Sequence, residues 1–118
     1  MEDLAALTSL EVMILQDNAL RGTLPAALAA LTSLTVLYLH NNDFTGTIPE
    51  LAALTSLTEL ALNGNSLSGT IPALAALSSL VQLMLYDNEL TGTVPELAGL
   101  VSLTKLARRL LNRRTCAH

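Results

Sequence analysis

The chain has 118 residues, enough for one domain, and an apolar share of 51% with only 3% aromatic describes an interior filled by Leu, Ala, Val and Ile. All ten carboxylates, but only Arg21 among the basic residues, fall within residues 1–104, while Lys105, Arg108, Arg109, Arg113 and Arg114 crowd the end, for a formal net charge of −4. An anionic body argues against nucleic acid, which demands Lys and Arg along one face, and no run of about 18 uncharged apolar residues supports a membrane span.

The opening Met1-Glu2-Asp3-Leu4-Ala5-Ala6-Leu7 has neither the basic start nor the apolar run of a secretory signal. The single cysteine, Cys116, has no partner for an internal disulfide. The sequence as written therefore points to the cytoplasm, and to an extracellular setting if it is a piece of a longer chain.

From Leu7 onward one sentence is written four times, as residues 7–30, 31–53, 54–76 and 77–99, followed by a partial repeat or cap at 100–111 and a basic tail at 112–118. Asn18, Asn42, Asn65 and Asn88 mark the same point of each copy at spacings of 24, 23 and 23. A fixed period of that length is the signature of a solenoid, each repeat forming one coil stacked on the next.

Within each copy, Leu-x-Leu comes first: Leu37 and Leu39 around Tyr38, Leu60 and Leu62 around Ala61, Leu83 and Leu85 around Met84. This is the period of a strand with one buried face. Strands this short must pair with their equivalents one coil away, which predicts a parallel sheet. Three residues after the second strand leucine comes the Asn, where the chain turns out of the sheet and leaves backbone groups unpaired. A buried amide offers a donor and an acceptor at once, so Asn18, Asn42, Asn65 and Asn88 are expected to form a structural ladder.

Next comes Leu/Phe-x-Gly-Thr-Ile/Leu/Val-Pro, at 20–25, 44–49, 67–72 and 90–95. Gly accommodates a turn, the apolar positions point inward, and Pro ends pairing and starts a short helical turn. The following Leu-Ala-Ala-Leu suits a 3₁₀ or tight helical segment on the outer side. An extra Ala in Pro25-Ala26-Ala27-Leu28 accounts for the 24-residue spacing and is expected to bulge there, leaving the sheet in register.

Residues 4 to about 106 closely resemble leucine-rich repeats of the plant-specific type, whose pattern Leu-x-x-Leu-x-Leu-x-x-Asn-x-Leu-x-Gly-x-Ile-Pro recurs in all four copies with replacements such as Met13, Phe44 and Val94. The resemblance implies an α/β right-handed solenoid with a concave parallel sheet, a second short strand at the Gly-Thr segment and convex 3₁₀ or short helical segments. It also implies recognition of proteins, peptides or small ligands on the concave or lateral face. The cysteine-paired caps of extracellular members are missing, so Met1–Ala6 and residues 103–111 are the candidates for covering the end coils. Leu103, Leu106 and Leu110 would share one face of a short capping helix. Leucines left open at the ends predict concentration-dependent self-association.

Chemistry is sparse. His40 and His118, the scattered carboxylates and one terminal thiol form no nucleophile, base and orienter set, and no spacing suits a metal. The expectation is no catalytic residue, no metal and no cofactor. Recognition is the better reading, because the variable strand positions are free to meet a partner. They form columns: Val12, Val36, Glu59, Gln82; Ile14, Tyr38, Ala61, Met84; Gln16, His40, Asn63, Tyr86; and Asp17, Asn41, Gly64, Asp87. An apolar row with polar neighbours is the pattern of an anchor strip with a polar rim. Ile14, Gln16, Tyr38, His40, Asn63, Met84, Tyr86 and Asp87 are the expected contact residues for a protein or peptide.

Two alternatives stand beside this one. Thr23, Thr47, Thr70 and Thr93 follow each Gly, and Thr45, Ser68 and Thr91 precede three of them, so a strand there would present a hydroxyl grid like the Thr-x-Thr faces of ice-binding solenoids. Near-identity of the copies also fits a fragment or a consensus-like array with no ligand of its own.

Overall fold

Three-residue strands have no stability alone, so where their backbone groups find partners decides the architecture. The structure, a computed structural model, describes residues 6–92 and 105–106. Its strands in chain order are β1 (Val12–Ile14), β2 (Arg21–Thr23), β3 (Val36–Tyr38), β4 (Asp43–Thr47), β5 (Glu59–Ala61), β6 (Ser66–Thr70), β7 (Gln82–Met84), β8 (Glu89–Thr91) and β9 (Lys105–Leu106). The odd-numbered strands form one parallel sheet in the order β1-β3-β5-β7-β9, and the even-numbered ones a second, β2-β4-β6-β8. Each of the four repeats thus contributes one strand to each sheet, β9 extends the first sheet, and the stack is a solenoid. Beyond the strand ends the bonding continues from coil to coil: Leu15 donates its N–H to Tyr38 O (2.8 Å), Leu39 to Ala61 O (2.9 Å) and Leu62 to Met84 O (2.9 Å).

Between the sheets lies a leucine core. Leu37, Leu60 and Leu83 point inward from the first sheet, Phe44, Leu67 and Leu90 from the second, and Leu34, Leu57 and Leu80 fill the space between, each with at most 2% of its surface exposed. Every inward position is occupied by the same or a similar side chain one coil away, so the core is continuous. Burying a leucine contributes about 1.5–3 kcal/mol, and no coil could keep its leucines covered without a neighbour.

The first sheet keeps the register expected from the repeat: Val12 lies opposite Val36, Val36 opposite Glu59, and Glu59 opposite Gln82. The extra alanine is absorbed on the other side of the coil, where Ala26–Ala30 form a 3₁₀ helix with Leu28 N–H bonded to Pro25 O and Leu31 N–H to Leu28 O, both 3.1 Å. The second and third copies do not repeat this helix. With one residue fewer, Leu51–Leu54 and Leu74–Leu77 each close a single turn, through Leu54 N–H to Leu51 O (2.9 Å) and Leu77 N–H to Leu74 O (3.0 Å).

The second sheet is sheared. Thr23 lies opposite Thr45, Thr47 opposite Ser68, and Thr70 opposite Thr91, so equivalent threonines are offset by two residues rather than aligned. A slip of two keeps every side chain on its own face, and the hydroxyl grid becomes a diagonal band. Gly46, at φ 79°, fits here because a Cβ would stand 2.9 Å from the Thr23 methyl, and Gly69 meets Thr47 in the same way.

One expectation about the end of the array needs correction. Lys105 and Leu106 are strand, paired with Gln82 and Leu83, and not part of a capping helix built on Leu103, Leu106 and Leu110. Both stand 23 residues beyond their partners, so they continue the repeat frame onto the edge of β7. The other expectations for Met1–Ala5, Thr93, Val94, Leu103, Leu110 and the tail 112–118 lie outside the described residues.

Candidate functional site

The open face of the first sheet is built by residues two apart along β1, β3, β5 and β7, the alternation that places neighbours on opposite faces. In the first coil Val12 and Ile14 are 47% and 52% exposed, and Tyr38, Met84 and Tyr86 are half-buried. Tyr38 leans toward the third coil: its hydroxyl donates to Glu59 Oε1, although Tyr38 itself pairs with Ala61. Ala61, its neighbour in the sheet, is only 1% exposed. The Tyr38 and His40 rings meet in a T-shaped arrangement, with centroids 5.5 Å apart. The accessible apolar row is thus Ile14, Tyr38 and Met84, the Ala61 position between the last two being buried.

The third column runs Gln16, His40, Asn63, Tyr86. Asn63 differs from expectation, being buried at 7% exposure where an open contact residue was expected. Parallel strands place it about 4.8 Å from each neighbouring coil, between two longer side chains, His40 and Tyr86. Gln16 Oε1, His40 Nδ1 and Asn63 Oδ1 are all buried and have no hydrogen-bond partner among the described residues. A native interior leaves few such groups, so three in one column mark it.

In the fourth column the backbone is left-handed: φ is 58° at Asp17, 58° at Asn41, 71° at Gly64 and 56° at Asp87. Asp, Asn and Gly are the residues that tolerate this region. Their recurrence is a backbone requirement that pattern reading missed, and it accounts for Asp87 without a partner. Asn41 Nδ2 also donates to Asp17 Oδ1 at 2.8 Å.

Behind these columns the asparagine ladder holds the coils together. Asn42 Oδ1 accepts from Leu20 N–H (3.1 Å), Asn65 Oδ1 from Phe44 N–H (3.1 Å) and Asn88 Oδ1 from Leu67 N–H (2.9 Å). Their Nδ2 groups donate back to Leu15, Leu39 and Leu62 carbonyls in the preceding coil, at 2.9–3.0 Å. Asn42 and Asn88 are buried and Asn65 half-buried, whereas Asn18, in the first described coil, is exposed and reaches only Leu15 O and Gln16 O.

On the second sheet Thr23, Thr45, Thr47, Ser66, Thr70 and Thr91 are exposed and Ser68 is half-buried. Thr45 and Thr91 turn their hydroxyls onto the carbonyls of Gly22 and Gly69 at 3.4 and 3.5 Å. Glu89 enters the diagonal opposite Ser68, and Arg21 faces Asp43 at one corner.

Among the described residues no three His, Cys, Asp or Glu side chains converge to hold a metal, and no helix is long and apolar enough to cross a membrane. His40 meets Tyr38 by its ring, and no serine or carboxylate is bonded to its Nδ1.

Comparison with known proteins agrees with this geometry. The family model of leucine-rich repeats in two copies matches residues 32–76. The ectodomain of the Arabidopsis receptor kinase HAESA, solved with a peptide hormone ligand, is similar at a TM-score of 0.84 and 33% identity, over 88% of this chain and 18% of that one. The ectodomain of the receptor kinase SOBIR1 from Arabidopsis thaliana is similar at 0.83 and 28% identity, over 92% of this chain and 61% of that one. A plant ice-binding protein is similar at 0.66 and 34% identity, over 74% of this chain and 29% of that one. This chain therefore spans about a fifth of the HAESA ectodomain. A search of curated proteins finds no match.

Proposed function

This chain is a plant-type leucine-rich-repeat protein, and we propose that it acts as a non-catalytic module that binds a peptide or protein segment on its concave sheet. The observation that carries the proposal is the row Ile14, Tyr38 and Met84, with Tyr86 in the neighbouring column, which stands outside a core that the leucines already complete. Side chains not needed for folding are free to serve recognition, and aromatic and Met anchors beside polar groups are what interfaces favour.

The size of the face favours a peptide over a globular partner. Five strands at about 4.8 Å spacing span about 19 Å, and three outward rows span about 14 Å, giving an area of about 270 Å². A standard protein interface takes about 800 Å² per side. The likeness to an ectodomain solved with a peptide hormone supports the same reading. It also favours an extracellular setting over the cytoplasmic one that the sequence as written suggests, because the similar receptor structures are ectodomains.

Peptide-display selection on the full chain tests this. Selected peptides should lose binding to a Tyr38→Ser, Tyr86→Ser double variant of unchanged circular dichroism and keep it in Thr47→Ala, Thr70→Ala. Failure to select any peptide would instead favour an array with no ligand of its own.

A second reading has its own observation. The diagonal of exposed hydroxyls on the second sheet, with the Thr23 and Thr47 methyls set beside Gly46 and Gly69, forms rows spaced about 6.8 Å along and 4.8 Å across the strands. That supports adsorption to ice, as does the similarity to a plant ice-binding protein. Thermal hysteresis and inhibition of ice recrystallisation measure it directly. Activity lost in Thr47→Val, Thr70→Val and kept in Tyr38→Ser would establish this face, and no activity in the unaltered chain at high concentration removes the idea.

A further inference from the structure

Resting on the reading of the concave sheet as the binding face, we propose that its ligand is a basic peptide, with cationic side chains set among the carboxylates of that face and N–H donors received by the Gln16, His40 and Asn63 column. Two independent observations meet here. One is charge. Among the described residues there are seven carboxylates and one guanidinium, Arg21, and that guanidinium lies on β2 in the other sheet. Around the concave strands stand Glu11 just before β1, Asp17 and Asp87 just after β1 and β7, and the outward-facing Glu59 of β5. Residues 11–17, 35–41, 58–64 and 81–87 contain no Lys or Arg at all. Lys105 stands at the register position beside Gln82 and bounds the anionic stretch on that side.

The other observation is unmet hydrogen bonding. Asn63, with 7% of its surface exposed, has a buried Oδ1 without a partner, and the same is true of Gln16 Oε1 and His40 Nδ1 in neighbouring coils. Carbonyl oxygens of Gln and Asn accept hydrogen bonds, so two of the three groups call for a donor. Lysine, arginine and peptide N–H groups supply donors, and carboxylates supply none. The anionic rim and the acceptor column thus select the same ligand chemistry. Tyr38 adds an aromatic face beside Glu59, a combination that attracts a cation both through the ring and through the carboxylate.

The test is fluorescence anisotropy of the full chain with three labelled ten-residue peptides sharing one central Leu and differing only in lysine, glutamine or glutamate at alternate positions. The lysine peptide should bind at least about tenfold more tightly than the glutamine one, and the glutamate peptide should not bind, since like charges repel across a rim of this sign. Raising salt from about 50 to 500 mM should weaken the lysine peptide about tenfold or more as the screening length shortens. Glu59→Gln with Asp87→Asn should lower its affinity about tenfold, and Asn63→Ala should lower it at unchanged circular dichroism. Asp43→Asn with Glu89→Gln, on the other sheet, should leave it alone. Equal affinity for lysine and glutamine peptides, indifference to Glu59→Gln, Asp87→Asn, or no binding of the lysine peptide overturns the inference. If Tyr38→Ser, Tyr86→Ser still abolishes binding of a selected peptide, the concave-sheet reading survives that failure; if it does not, both fall.

Discussion

Replacing Asn65 by Ala removes four hydrogen bonds at once: Oδ1 from Phe44 N–H at 3.1 Å, and Nδ2 to Leu39 O, Leu62 O and Asn63 O at 3.0, 3.1 and 3.4 Å. All three carbonyls keep another donor, since Leu39 O also receives Asn42 Nδ2, Leu62 O also receives Asn88 Nδ2 and Asn63 O also receives Asn41 N–H. The stranded group is the Phe44 N–H, at about 1–3 kcal/mol, and each shared bond lost adds about 0.5–1.5 kcal/mol. The sum is about 2.5–7.5 kcal/mol, large beside the total stability of a small array. Asn63→Ala, two residues away, removes an amide whose buried oxygen has no partner, so it should cost under about 1 kcal/mol. Urea unfolding followed by circular dichroism at constant m-value measures both. Equal losses for the two variants would refute the assignment of which asparagine holds the coils together.

Gly69→Ala should lower stability by about 1–2 kcal/mol, the cost of placing a Cβ in left-handed backbone, because its φ is 78° and the new atom would stand 2.9 Å from the Thr47 methyl; a thermal melt unchanged from the parent would contradict this. Leu60→Ala, at a position 1% exposed in the central coil, should cost about 2–5 kcal/mol, and the corresponding change at the half-buried Leu10 considerably less, read from the same urea curves.

The sequence states the stacking axis plainly, because a solenoid repeats each contact and so repeats each residue. The leucine core, the ladder of Asn42, Asn65 and Asn88 and the in-register first sheet are all legible from spacing alone. Equivalence between repeats does not, however, imply alignment in space. Thr47 faces Ser68 and not Thr70 because the second sheet pairs with a stagger of two residues, and a period count carries no stagger. Asn63 is buried through the lengths of His40 and Tyr86 beside it, a property of three residues in three coils rather than of one position. The left-handed column of Asp17, Asn41, Gly64 and Asp87 was readable in principle, since Asp, Asn and Gly at one repeat position is the composition that a positive φ demands. At the far end, Lys105 and Leu106 obey the repeat frame, and the strand pairing of that frame outweighed the helical spacing of the leucines around them.

The most direct measurement of the central claim uses the methionines. With methyl-labelled methionine, the full chain carries one reporter on the open row, Met84, which is half-buried, and one facing the core, Met13, which is 7% exposed. Titrating a display-selected peptide should shift the Met84 methyl resonance with saturation and leave Met13 in place, as recognition on the concave sheet requires. A saturable complex in which Met84 does not move would contradict that claim and direct attention to the hydroxyl diagonal of the second sheet.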